Sequence, residues 1–323
     1  MKKIINFTTS NHDTKRYSDN ADLKSFYKGF GCDGLELMRV GDNEDDIIYA
    51  DDVIGVHIRY YTTWMDLWTG NEQRLMQEFG DYAAVKETYG GINRDALTQV
   101  YIDNLKAPPE CNPEYFVFHV SECQLAESFR RQYHYDSEAV IDTTIELVDS
   151  FSDVIQGKAV FLFENLWYPG LNMLEPKLTF KLLEEVKYTN VGVMLDTGHL
   201  LNTNIALRTI DEGIDYIHGI LDSYGDLSFI KGIHLHQSLS GAYSQELMHT
   251  WTDIEGTYNE RRFAAFPHVF KIDTHQPFAS ERVNGLIERI QPDYLVIEQL
   301  SNDRDEHERN LKEQLRYLTA SNE

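Results

Sequence analysis

Eight short, nearly continuous apolar runs rich in β-forming residues recur along the chain, at 4–8, 35–40, 53–61, 115–120, 159–164, 191–196, 232–236 and 294–298. Between them lie stretches with helical periodicity. In 137–155, for example, Val140, Ile141, Thr144, Ile145, Leu147, Val148 and Phe151 recur at intervals of three and four, the spacing that gives a helix one apolar face. Strands without a polar face must be buried on both sides, which a parallel sheet covered by helices provides.

Eight such units favour closure into an α/β fold of the (β/α)8 TIM-barrel type. The competing open, doubly wound sheet would carry a glycine-rich phosphate turn after its first strand, and no glycine occurs between Ile4 and Ser10. At 323 residues and 42% hydrophobic content, with no linker, low-complexity segment or internal repeat, the chain is expected to form a single TIM-barrel domain over 1–323. Two connections, 62–112 and 237–293, are longer than one helix and its turns require. Long loops are therefore expected at the barrel mouth after strands three and seven.

Lys and Arg number 29 against 53 Asp and Glu, a net charge of -24 that repels polyanions and argues against duplex nucleic acid as a partner. No apolar run reaches the roughly 20 residues of a membrane helix, so no membrane partner is expected. Cys32, Cys111 and Cys123 are an odd number with no CxxC spacing, so neither a disulfide framework nor a four-thiolate zinc site is indicated, and a reducing cytoplasm is the expected compartment. The charge runs 42–46 and 303–308 read as solvated loops or helix starts.

At or near the C-terminal end of seven of the eight runs stands a side chain able to bind metal: Glu36, His57, His119, Glu164, Asp196 with His199, His234 with His236, and Glu298. Asp273 and His275 sit on the connection after run seven. Catalytic groups of barrel enzymes collect at this face. One such residue alone is more often a hydrogen-bonded structural group. Several carboxylates converging on one funnel, however, repel unless cations compensate them. In Asp196-Thr197-Gly198-His199 the aspartate ends a strand and the histidine enters the turn, within reach of adjacent ions. His234 and His236, two apart on a strand, share a face, and the spacing leaves open which of them ligates. Imidazoles and carboxylates without thiolate suit two or three divalent ions, zinc foremost, with manganese, iron or cobalt also compatible.

With these motifs the chain resembles, over nearly its whole length, the superfamily of xylose isomerase-like barrels that includes endonuclease IV. The resemblance implies that the three-metal ligand pattern of the endonuclease IV branch falls on His57, His119, Glu164, Asp196, His199, His234, Asp273, His275 and Glu298. The single-metal sugar isomerase and epimerase branch implies a smaller set, Glu164, Asp196, His234 and Glu298, with the two glutamates moving protons and His199 touching the sugar. Only the first pattern needs His57, His119 and the Asp273/His275 pair. The chain departs from endonuclease IV in the much longer connection between His234 and Asp273, and in lacking a Lys/Arg cluster at the mouth for a DNA backbone.

The expected activity is therefore metal-dependent hydrolysis of a small-molecule phosphodiester, with Glu164 and Glu298 catalytic; sugar or sugar-phosphate isomerisation or epimerisation is the alternative, and a non-catalytic binding barrel a third class. Among relatives, the pattern also looks like the cobamide-remodelling phosphoesterases, which open the phosphate link to the nucleotide loop of a corrinoid. His236, Arg59, Trp64 and Trp167 are the candidate substrate contacts: a guanidinium holds phosphate or carboxylate in bidentate fashion, and indoles stack on flat rings.

Overall fold

The computed structural model describes residues 1–41, 47–106, 111–155 and 159–318. Eight parallel strands close into a barrel in sequence order: β1 (Lys2–Thr8), β2 (Gly34–Met38), β3 (Val53–His57), β4 (Tyr115–His119), β5 (Val160–Glu164), β6 (Val191–Asp196), β7 (Ile230–Leu235) and β8 (Tyr294–Ile297). The last strand pairs with the first, Lys2 opposite Tyr294, so no edge remains. The fold is thus the (β/α)8 barrel expected from the eight runs.

Side chains alternate between two apolar cores, which is why the strands read as continuously hydrophobic. One core fills the lumen with Ile4, Ile54, Tyr115, Val117, Leu162, Met194, Tyr294 and Val296. The other lies between barrel and helices and includes Phe116, Phe118, Phe161, Phe163, Val193, Leu195, Ile233 and Leu235. The period of two carries the inward set up each strand to a polar last member. Tyr115 and Val117 lead to His119, Leu162 to Glu164, Met194 to Asp196, and Val296 to Glu298.

The lumen also holds one buried polar pair below that layer. The Tyr115 hydroxyl donates to Glu36 Oε2 at 2.7 Å, and the Tyr115 ring crosses so close to β3 that a Cβ at Gly55 would lie 2.1 Å from its Cζ. Only glycine leaves that passage open.

Outside the barrel, the helix Ser137–Phe151 buries Val140, Ile141, Thr144, Leu147, Val148 and Phe151. It starts where the Asp136 side chain accepts the Ala139 N–H at 2.9 Å, a standard N-cap. The run 303–308 is the start of the final helix, Arg304–Tyr317, capped by Asp303; the run 42–46 lies outside the described residues. The connection after β3 contains helices Met65–Thr69, Glu72–Phe79, Tyr82–Tyr89 and Arg94–Lys106, and that after β7 contains Gly241–Thr250, Tyr258–Ile272 and Val283–Ile290. Among the described residues no helix is long and apolar enough to cross a membrane.

Candidate metal centre

The turn after β6 shows how local folding sets the site. Asp196 caps the helix Thr197–Asn202 through one oxygen, Oδ1 accepting the His199 N–H at 2.6 Å. Its other oxygen, Oδ2, faces His236 Nε2 at 2.9 Å. The cap therefore fixes both residues of the Asp-x-x-His spacing, and His199 is further held by its Nδ1 on the Asn165 carbonyl at 2.9 Å. Gly198 lies over His236: a Cβ there would be 2.0 Å from His236 Cε1.

Glu164, fully buried at the end of β5, divides its two oxygens between different groups. Oε2 is 3.0 Å from His57 Nε2 and 2.8 Å from His119 Nε2. Oε1 is 3.1 Å from His234 Nδ1 and 3.4 Å from His199 Nδ1. His234 Nδ1 also stands 3.1 Å from Glu298 Oε2 and 3.8 Å from Asp196 Oδ2, while its Nε2 is held at 3.0 Å by Glu36. At the mouth, Asp273 Oδ2 lies 3.2 Å from His199 Nε2 and 3.4 Å from His275 Nδ1. Ser238 donates to Asp273 Oδ1 at 2.9 Å and accepts the Thr274 N–H at 2.9 Å. His275 itself has φ +45°, an uncommon conformation for a non-glycine residue that the Ser238 contacts hold in place.

Donor atoms of His57, His119 and Glu164, and of Glu164, Asp196, His234 and Glu298, lie within 4.8 Å of one another in each group, as do those of Asp196, His199 and His236 and those of His236, His275 and Glu298. Ligands of a tetrahedral ion at roughly 2.0–2.1 Å stand about 3.4 Å apart, and the pairs above, at 2.8 to 3.8 Å, bracket that spacing. Two buried atoms add to the fit: Glu298 Oε2 makes no well-aligned hydrogen bond, its neighbours being the His234 and His236 imidazoles at 3.1 and 3.8 Å, and His119 Nδ1 has no hydrogen-bond partner. A buried carboxylate is costly unless a cation, whether a protonated imidazole or a metal ion, faces it. The residues present therefore fit divalent ions, and Glu164, Asp196, His236 and Glu298 each belong to two of these groups.

Protonation follows the same pattern. Burial disfavours the charged forms of His199 and His234, yet their pKa values are held well above the usual range, by Asp196 and Asp273 for the first and by Glu298, Glu36 and Glu164 for the second. Glu164 and Glu298 are held well below the ordinary carboxylate range despite burial, by the facing imidazoles. His275 is pushed up to about 9, the Asp273 carboxylate outweighing burial. His119 is the exception, burial keeping its pKa low against Glu164. Without metal, protons supply the positive charge that the carboxylates demand, and an ion entering must displace them.

The candidate residues fall as follows. His57, His119, Glu164, Asp196, His199, His234, Asp273, His275 and Glu298 all converge on the lumen mouth. His236, a candidate substrate contact whose ligation the spacing left open, lies among the donor atoms. Arg59 and Trp167 line the cavity beside the centre. Trp64 does not: it is 3% exposed and its indole N–H donates to the Ser121 carbonyl at 2.8 Å, because the chain after β3 turns at once into a buried helix instead of remaining at the rim. The sequence offered no sign of the supports Ser238 and Tyr60, or of Arg262 in the cavity wall; Asn165 carried one, as the residue next to a strand-end glutamate.

No protein-family model matches the sequence, and no curated protein matches it significantly. Among solved structures the chain is similar to endonuclease IV from Thermus thermophilus, with 14% identity, 98% of each chain covered and a TM-score of 0.53. A D-tagatose 3-epimerase-like protein aligns at 11% identity over 98% of this chain and 97% of that one, with a TM-score of 0.49. At such identities the likeness to endonuclease IV is one of fold.

Proposed function

We propose that this barrel is a metal-dependent hydrolase of a small-molecule phosphodiester, with a centre of two or three divalent ions, zinc foremost. The observation that carries the reading is the division of Glu164: one oxygen toward His57 and His119, the other toward His234 and His199. A carboxylate placed this way suits a bridge between two cations. Glu164, Asp196, His234 and Glu298 would hold one ion, His57, His119 and Glu164 a second, and His199, Asp273 and His275, with His236 adjacent, a third. When bound, such ions activate water, clamp the phosphoryl oxygens and stabilise the leaving oxygen without a basic surface.

The chain's own residues prepare that chemistry. Glu36 and Asn165 fix the rings of His234 and His199. Tyr60 packs edge-on against His119, with ring centroids 4.5 Å apart, and Trp167 against His199 at 5.2 Å; both confine the imidazole rings. Glu298, facing His234 at 3.1 Å and His275 at 3.6 Å, is held ionised beside the centre by those imidazoles. The net charge of -24 favours a small substrate over duplex nucleic acid.

A second reading, sugar or sugar-phosphate isomerisation, is favoured by the four-residue group Glu164, Asp196, His234 and Glu298, which could hold a single ion between two glutamates. Elemental analysis of protein purified without chelators or added metal separates the two. Two or three ions per chain, falling by at least one in Glu164→Gln, together with turnover of bis(4-nitrophenyl) phosphate or of a corrinoid carrying its nucleotide loop, is the expected result. A single ion, with solvent deuterium entering a ketose, would establish isomerisation instead.

A further inference from the structure

A cavity of about 240 Å³ opens beside the centre, with His119, His199 and Asp273 at its floor. Its walls come from both long connections. The helix Tyr258–Ile272 turns Tyr258, Arg262, Ala265, Phe266 and Val269 toward it, the spacing of one helix face. Tyr60, Tyr61, Leu166, Trp167 and Tyr168 complete a mainly aromatic surface. A sugar, with a hydroxyl on nearly every carbon, would leave those groups unpaired against such walls, whereas a flat ring gains both contact area and ring-to-ring geometry.

Polar groups in this wall lack partners. Arg262 Nε and Trp167 Nε1 are buried and have no hydrogen-bond acceptor. Neither Arg262 nor Arg59 forms an ion pair among the described residues, in a chain where acids outnumber bases 53 to 29. The contacts recorded for their guanidiniums are with ring faces, Arg59 over Tyr61 at 5.4 Å and Arg262 over Phe266 at 5.8 Å. Burial raises the pKa of the Tyr61 hydroxyl, and both cations oppose that shift. Arg262 is half-buried and Arg59 exposed at the rim of the cavity, and a guanidinium without a carboxylate is a ready partner for a bidentate anion.

We propose that this cavity is the substrate's recognition subsite and takes an organic anion with a flat aromatic group, the ring among Tyr60, Trp167 and Phe266 and the anionic group at Arg262 and Arg59. It rests on the reading above in that the scissile bond must lie at the cavity floor, against His119, His199 and Asp273. The anion recognised is then a group remote from that bond, and Trp167 supplies an additional N–H to the bound molecule.

Calorimetric titration of the metal-loaded protein with three probes tests this: 2-naphthylphosphonate, methylphosphonate with the charge but no ring, and 2-naphthol with the ring but no charge. The expected result is that 2-naphthylphosphonate binds at least tenfold tighter than either of the others. Arg262→Gln should weaken it about tenfold, the loss of a charged hydrogen bond, and Arg59→Gln severalfold, with the metal content of both variants unchanged. Equal affinity for methylphosphonate and 2-naphthylphosphonate, or affinity unaltered in both arginine variants, would overturn the proposal by placing the anion on the metal ions alone. A centre holding one ion would overturn the hydrolase reading without altering these affinities, so the two failures are distinguishable.

Discussion

Replacing Gly198 by alanine tests the seat of His236 directly. The new methyl would lie 2.0 Å from His236 Cε1, 2.3 Å from Nδ1 and 2.9 Å from Nε2. The ring has little room to yield, since it stacks on His275 with centroids 4.0 Å apart and an interplanar angle of 12°, and its Nε2 faces Asp196 at 2.9 Å. Overpacking of this kind costs about 1–3 kcal/mol. Against it stands the preference of a helix for alanine over glycine, up to about 1 kcal/mol, because residue 198 lies in the helix Thr197–Asn202. In a His236→Ala background the obstructing ring is gone, so Gly198→Ala should there be neutral or stabilising. Urea unfolding of wild type, both single variants and the double variant measures the coupling, expected to be about 2 kcal/mol with a change of sign between backgrounds. An effect of Gly198→Ala that is the same in both backgrounds would refute the contact. If His236 also serves as a ligand, Gly198→Ala will lower the metal content measured on the same samples.

Metal uptake should be linked to pH. His275 is pushed up to about 9, above its unfolded value of about 6.5, so in metal-free protein its protonated form contributes stability that is full below about pH 6.5 and lost as pH rises through about 9. A metal needs the neutral ring, so affinity should fall as pH drops below about 9; calorimetry at pH 7 in buffers of different ionisation enthalpy should detect protons released on binding, and none released would contradict the assignment. Tyr115→Phe removes the donor 2.7 Å from the buried Glu36 carboxylate and should cost about 1.5–3 kcal/mol in urea unfolding, with weaker metal binding because Glu36 holds His234. Unchanged stability would show that the Glu36 carboxylate is satisfied in another way.

Strand periodicity and residue order determined much of this protein without any tertiary information. Eight apolar runs separated by helical stretches have few ways to bury both strand faces, and closure is the one that leaves no edge. Once the barrel closes, the period of two sends His119, Glu164, Asp196 and Glu298 into one lumen, so the set of converging residues was legible from strand ends alone. What each of them touches was not. The split of Glu164 between two imidazole pairs, the reach of Glu36 from β2 to His234 on β7, and the place of His236 beneath Gly198 depend on contacts across the lumen, the first two between residues 35 to 198 positions apart in sequence. Trp64 and Arg262 make the same point from the connections. Sequence placed both in long loops, but only the packing of the helices within those loops decided that Trp64 is buried against Ser121 and that Arg262, on one face of Tyr258–Ile272, enters the cavity. Local periodicity specifies which way a side chain points from its own strand; which partner it meets there is set by closure of the whole sheet and by the helices that fold over its mouth.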